Sequence, residues 1–238
     1  MSNIVPFDFD FDEVLAVAVE LPGVKIEREE FLQKNFSSRF NREIVARIVQ
    51  TSPIRAGVNE SVLYEIAREC INYEQKKVSA LSFVMGGGGL PGIPADLAQY
   101  FAHVLRISQK LAYIYGYPEI RSIEGSIDEK TQEIILLFIG VMYGVSGANK
   151  VIAEISKSLA SKAGKDILRA ALTKTAWYPL LKQVCEQVGI KVTKDVLSKI
   201  PAKSAPVIGG VVSAGFSYYC FGKGAECLHK TLRENPVR

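Results

Sequence analysis

The sequence predicts an all-α protein, a helical bundle interrupted by glycine-rich apolar hairpins. Three observations carry that expectation. Apolar residues recur at i, i+3 and i+4 along most of the 238 residues. No segment reads as a convincing strand. Three long uncharged stretches, Val78–Ala95, Ile134–Asn149 and Ser204–Gly222, are rich in glycine and other small residues, the composition that lets helices pack closely.

The elements follow in order. Asp12 to Leu21 is apolar in the middle and reads as a short helix that Pro22-Gly23 ends. Ile26 to Asn35 (IEREEFLQKN) carries acidic residues early, where they suit the helix dipole. In Asn41 to Gln50, Ile44, Val45, Ile48 and Val49 share a face. Asn59-Glu60-Ser61 can cap a helix over Val62 to Gln75, whose Leu63, Ile66, Cys70 and Ile71 keep helical spacing. A long helix starts near Asp96, has apolar residues from Leu97 to Tyr115 on one broad face, and is stopped by Gly116 with Pro118 behind it. Further helices are expected over Asp128–Val145, Lys150–Ala163, Lys165–Ala176, Tyr178–Val188 and Thr193–Ile200. Ser204–Gly222 reads as a second small-residue hairpin, closed by a charged tail. The first twenty residues are set apart as an N-terminal segment, and residues 21–238 as a single domain.

Composition narrows the classes of function. Charged residues at 23% and hydrophobic residues at 48% give an ordinary globular balance, and the length suffices for a full core without staples. A net charge of +4, with lysines and arginines scattered, argues against a nucleic-acid partner. The mean hydropathy of +0.13 is high for a soluble enzyme and low for a multispanning membrane protein. Cys70, Cys185, Cys220 and Cys227 form no C-x-x-C pair, and with two histidines in the chain a zinc site is not expected. They read as reduced thiols of a cytosolic protein. The opening MSNIVPFDFDFDE lacks the basic and apolar regions of a signal peptide.

No catalytic motif stands out. Gly86, Gly87, Gly88 and Gly89 are followed by Leu90-Pro91, where a phosphate loop needs Lys and Ser/Thr. A sharp, close-packed bend between apolar segments is the better reading. Asp96 suits a helix N-cap, with a functional acid as the alternative. Glu65, Glu69 and Glu74 share one predicted helix, but neither His103 nor His229 stands three residues after a Glu, so a solvated face is expected rather than a metal site. His103 reads as a partly buried helix residue. Asp8, Asp10 and Asp12 have the spacing of calcium-loop ligands without the required glycine and glutamate. No G-x-S-x-G nucleophile elbow occurs. No cofactor, metal or catalytic residue is therefore expected.

The segment GGGGLPGIPADLAQYFAHVLRISQKLAYIYGYPEI (Gly86–Ile120) resembles the EcsC-like bacterial proteins, which share a glycine-rich apolar hairpin, a P-x-D-L step and a long helix ending in YG. KSAPVIGGVVSAGFSYYCFGKGAECL (Lys203–Leu228) is similar to that family's closing segment, and ELPGVKIEREEFL (Glu20–Leu32) to the lead-in of one branch. The resemblance puts Asp96, Tyr115 and Gly116 on signature positions. It implies a mainly helical, membrane-associated bacterial protein, linked by name to an ABC-transporter operon, with no assigned catalytic residue.

The expected function is thus non-catalytic association with lipid or a membrane complex such as an ABC transporter, at the inner face of the cell membrane. Gly86–Gly89, Asp96, Tyr100, Tyr115, Gly209, Gly210 and Gly215 are the candidate contact residues. Lys76, Lys77, Lys203 and Lys223 flank the apolar stretches and suit anionic headgroups. Two alternatives stand beside it. One is an apolar-ligand binder or an enzyme on a hydrophobic substrate, with Asp96 and the tyrosines at 100, 113, 115 and 117 as polar groups. The other is an effector that permeabilises membranes.

Overall fold

The computed structural model describes residues 11–81, 95–119, 129–161 and 206–238. Among them are eight α-helices and no strand: α1 (Phe11–Glu20), α2 (Arg28–Phe36), α3 (Arg42–Gln50), α4 (Glu60–Leu81), α5 (Ala95–Ile114), α6 (Glu129–Met142), α7 (Ala148–Ser161) and α8 (Pro206–Glu234). The helical bundle is as expected. The glycine run Gly86–Gly89 and the helices expected over Lys165–Ala176, Tyr178–Val188 and Thr193–Ile200 lie outside the described residues.

α5 is the axis of the bundle and packs against α1, α2, α4, α6 and α8. From Ala98 to Tyr115 only Gln99, Tyr100, Arg106 and Lys110 escape full burial. Apolar surface on nearly all sides is what a central helix needs; the one broad face expected from its spacing is an underestimate. Phe101, Leu105 and Leu111 of α5 join Phe36, Ile66, Phe138 and Phe221 in one continuous core. α1 belongs to it: Val14 and Ala18 are fully buried and the helix packs on α5.

Local signals set the helix ends, with the Asn59 cap and the Gly116 stop among those expected. Asn41 caps α3 by accepting from the Ile44 amide at 2.9 Å, and Asn59 accepts from the Ser61 amide at 2.9 Å to open α4. Gly116 ends α5 with φ +87°, and Gly144 ends α6 with φ +67°. Both close Schellman motifs: Tyr117 N–H donates to Ala112 O at 3.0 Å, and Val145 N–H to Gly140 O at 2.8 Å. Residues 235–238 then fold back onto the first of these turns. Val237 N–H donates to Tyr115 O at 3.0 Å, Tyr117 donates to Asn235 O at 3.1 Å, and Ser156 donates to Pro236 O at 2.9 Å.

Two expectations are corrected here. α4 continues past Gln75 to Leu81. Ser204–Gly222 is no hairpin: from Pro206 it belongs to one helix that continues through the charged residues to Glu234. Glycines weaken a helix by about 1 kcal/mol each, but tertiary packing overrides that cost. At Gly222 and Gly224 the absent side chains admit Gln75 of α4 and the Met142 end of α6. Among the described residues, no helix is long and apolar enough to cross a membrane.

Candidate functional site

A cleft with a volume of about 1020 Å³ lies between α4, α5, α2 and the segment joining α1 to α2. α5 stitches that segment in place. Arg106 donates through Nε to Gly23 O at 2.7 Å and through Nη2 to Pro22 O at 2.8 Å. The Gln109 side chain donates to Val24 O at 2.9 Å and accepts from the Ile26 amide at 3.2 Å. Arg28, at the start of α2, donates to Val49 O and Thr51 O, both at 2.8 Å, so its guanidinium covers the carbonyl end of α3.

The cleft floor holds a polar trio, with Glu74 and His103 buried and Lys110 partly so. Glu74 of α4 is 1% exposed and His103 of α5 is 2% exposed. Glu74 Oε2 lies 2.7 Å from His103 Nδ1, and Oε1 lies 2.5 Å from Lys110 Nζ. Burial would raise the Glu74 carboxyl, but the His103 hydrogen bond and the Lys110 charge outweigh it and hold the pKa at about 2. Glu74 is therefore an anion and can only accept, so Nδ1 carries the ring proton that faces it. His103 Nε2 is also buried and has no hydrogen-bond partner. In a neutral ring it is a bare acceptor; in a cationic ring it is a buried N–H with nothing to donate to. The carboxylate thus fixes the tautomer and orientation of the ring, and the second nitrogen is closed off from the cleft.

The neighbouring thiol does not share that readiness. Burial pushes Cys70 up to about 11, so it stays protonated near neutral pH and is no nucleophile. Tyr73, 54% exposed at the cleft rim, has its phenol lowered by a hydrogen bond and by charge from Lys77, whose ammonium lies 4.6 Å from the ring centre. Among the described residues no three His, Cys, Asp or Glu side chains are placed to hold a metal.

The expected solvated glutamate face is only partly present. Glu65 and Glu69 are exposed, and Glu69 pairs with Arg39 at 2.5 Å. Glu74 turns inward because α5 brings a histidine and a lysine to it. His103, expected to be partly buried, is fully so. One signal was available: Gln99, His103, Arg106 and Lys110 form a polar stripe at i, i+4, i+7 and i+11 on an otherwise apolar helix.

The other expected contact residues do not converge on this cleft. Tyr100 is half-buried and accepts from the Tyr143 hydroxyl at 3.1 Å. Tyr115 is buried and lies 2.7 Å from His229 Nε2. Burial, then the charges of Arg233 and Arg68, lower His229 to about 4. The neutral ring thus accepts a hydrogen bond from the Tyr115 hydroxyl, and this pair is satisfied internally. Tyr113 and Tyr117 are buried as well. Asp96, Gly209, Gly210 and Gly215 sit in α5 and α8, and their side-chain surroundings lie outside the described residues.

The chain matches no family model, no curated protein and no solved structure. What the site can do therefore rests on its own chemistry.

Beyond the cleft rim, α4 and α8 pair closely. The Gln75 side chain donates to Tyr218 O at 2.9 Å. Among the described residues, three of the four exposed large apolar side chains gather at this level: Tyr73, Tyr218 (43% exposed) and Tyr219 (63% exposed). Lys77 lies over Tyr73, and Lys223 lies 5.8 Å from the Tyr219 ring centre. Both helices carry their uncharged stretches away from this level, toward residues 82–94 from α4 and through 206–217 within α8.

Proposed function

We propose that the protein is a membrane-associated helical protein that acts with lipid or with a membrane complex, in keeping with its resemblance to the EcsC-like proteins. The observation that supports this best is the tyrosine–lysine belt. Tyrosines with an apolar body and a polar tip favour the membrane–water interface. Lysines beside them gain about 1 kcal/mol each from anionic headgroups. Here Tyr73, Tyr218, Tyr219, Lys77 and Lys223 occupy one level of the α4–α8 pair, with Lys76 exposed beside them. The uncharged stretches Val78–Ala95 and Ser204–Gly222 begin at that level. In this reading the belt rests at the headgroups of the inner membrane face and the two stretches supply the apolar contact.

The experiment is flotation of the full chain with vesicles containing anionic lipid. Wild type rises with the vesicles, and the triple variant Tyr73→Ser, Tyr218→Ser, Tyr219→Ser stays behind with its melting temperature unchanged. Wild type that stays with the unbound fraction, or a triple variant that floats equally well, refutes the proposal.

A further inference from the structure

A second concavity, of about 400 Å³, opens where the loop between α3 and α4, the start of α4 and the docked residues 235–238 meet. Three arginines line it, Arg55, Arg233 and Arg238, against one carboxylate, Glu60. All four residues are exposed, so a ligand reaches them. Their present partners leave most of the guanidinium donors open. Arg55 donates through Nη2 to the Arg238 main-chain oxygen at 3.2 Å. Arg233 Nε stands 3.7 Å from Glu60, an ion pair without a hydrogen bond. Among the described residues the Arg238 guanidinium has no partner. A main-chain carboxylate at residue 238, counted with Glu60, still leaves one guanidinium over.

The backbone that carries these arginines is fixed. The Arg55 amide donates to Ser52 Oγ at 3.1 Å, and the Val58 amide to Pro53 O at 3.0 Å. Arg233 lies over the Tyr64 ring, 5.6 Å from its centre, which gives the fourth exposed large apolar side chain a role. Residues 235–238 are pinned by the hydrogen bond from Val237 to Tyr115. Like charges held around one concavity raise a positive potential there, and a preformed arrangement spares an anion the cost of ordering it. The wall beside the arginines is apolar and within reach: Ile54, Val58 and Pro236 line the pocket and are partly exposed.

We infer that this pocket binds a small carboxylate with an apolar body, whose oxygens accept from Arg55 and Arg238 while its hydrocarbon lies against Ile54 and Val58. Arg55 and Arg238 are the pair chosen because they already touch, whereas Arg233 faces Glu60. A carboxylate presents two coplanar oxygens that match the guanidinium fork, and its single charge offsets the one guanidinium left over. The volume lies at the lower end for ligand pockets, which suits a small molecule. The site stands at the first turn of α4 and does not rest on the membrane reading, whose belt on that helix begins at Tyr73.

The test is titration of the full-length protein with hexanoate, followed through the methyl resonances of Ile54 and Val58 and the side-chain N–H resonances of Arg55 and Arg238. The two sets are expected to shift together and to saturate. Arg55→Gln combined with Arg238→Gln is expected to weaken binding about tenfold, the loss of hydrogen bonds to a charged group, with the melting temperature unchanged. A titration that does not saturate, saturation without these shifts, or equal affinity in the double variant overturns the site. If the double variant does not fold, Arg238→Gln alone decides, since that guanidinium holds nothing in the fold, and unchanged affinity there overturns the site. Equal binding of hexanol overturns the carboxylate contact. Equal binding of acetate overturns the apolar wall. Tighter binding of inorganic phosphate than of hexanoate overturns the carboxylate class.

Discussion

Gly116 and Gly144 allow one backbone requirement to be separated from one packing contact. Both close a helix in the left-handed region, at φ +87° and +67°. A side chain there costs about 1–2 kcal/mol, partly offset by the stiffer unfolded chain, so Gly144→Ala should lose roughly 1 kcal/mol. A Cβ on Gly144 meets nothing within 4 Å. On Gly116 it would stand 2.5 Å from the Val237 carbonyl oxygen. Ordinary C···O contacts are about 3.3 Å or more, so residues 235–238 must lift. That breaks the 3.0 Å hydrogen bond from Val237 to Tyr115, worth about 1 kcal/mol. It also exposes part of a side chain that is 4% accessible, a further ~1–2 kcal/mol. Gly116→Ala should therefore cost about 3–4 kcal/mol in urea denaturation. In a chain of this size its melting point should fall about 5–10 °C below that of Gly144→Ala. Ending the chain at Asn235 should remove the difference, because the clashing oxygen is gone. Equal losses in the two full-length variants, or an undiminished Gly116 penalty in the shortened chain, would show that the turn and the tail are not coupled as described.

Acid should destabilise the fold in two windows. Between pH 6.5 and about 4 the unfolded chain protonates His229 while the folded chain keeps the ring neutral, so stability falls as pH drops. From pH 4.5 to about 2 the unfolded Glu74 takes a proton first, and the fall continues. His229→Gln, which can still accept from Tyr115, should flatten the upper window by about 1–3 kcal/mol, read from melting temperature against pH. Glu74→Ala leaves His103 and Lys110 without their carboxylate and should cost about 3–5 kcal/mol in chemical denaturation; a loss under 1 kcal/mol would mean that the trio is not buried in solution. Phe101→Ala, at the centre of the core, should cost about 3–5 kcal/mol on the same assay.

Much of the fold was legible because its signals are local. The Asn59 cap, the Gly116 stop and the i, i+3/i+4 spacing of α3, α4 and α5 each act within a few residues. The candidate site was not legible in this way. Glu74 looked like one glutamate of a solvated face, since its partners His103 and Lys110 are 29 and 36 residues away. The docking of residues 235–238 likewise joins groups more than a hundred residues apart, as in Tyr117 to Asn235.

The sequence by itself determined that the chain is helical, where most of the described helices start and stop, and that its small-residue stretches carry no charge. These properties are set by backbone propensity, capping and composition, which need no distant partner. Only the tertiary structure decided that α5 is buried on nearly all sides, that α8 runs unbroken through its glycines, and that one glutamate turns inward to hold a buried histidine and a lysine. The physical reason is that burial of a charge and continuation of a weak helix are both settled by what packs against them, and the packing partners are remote in the chain.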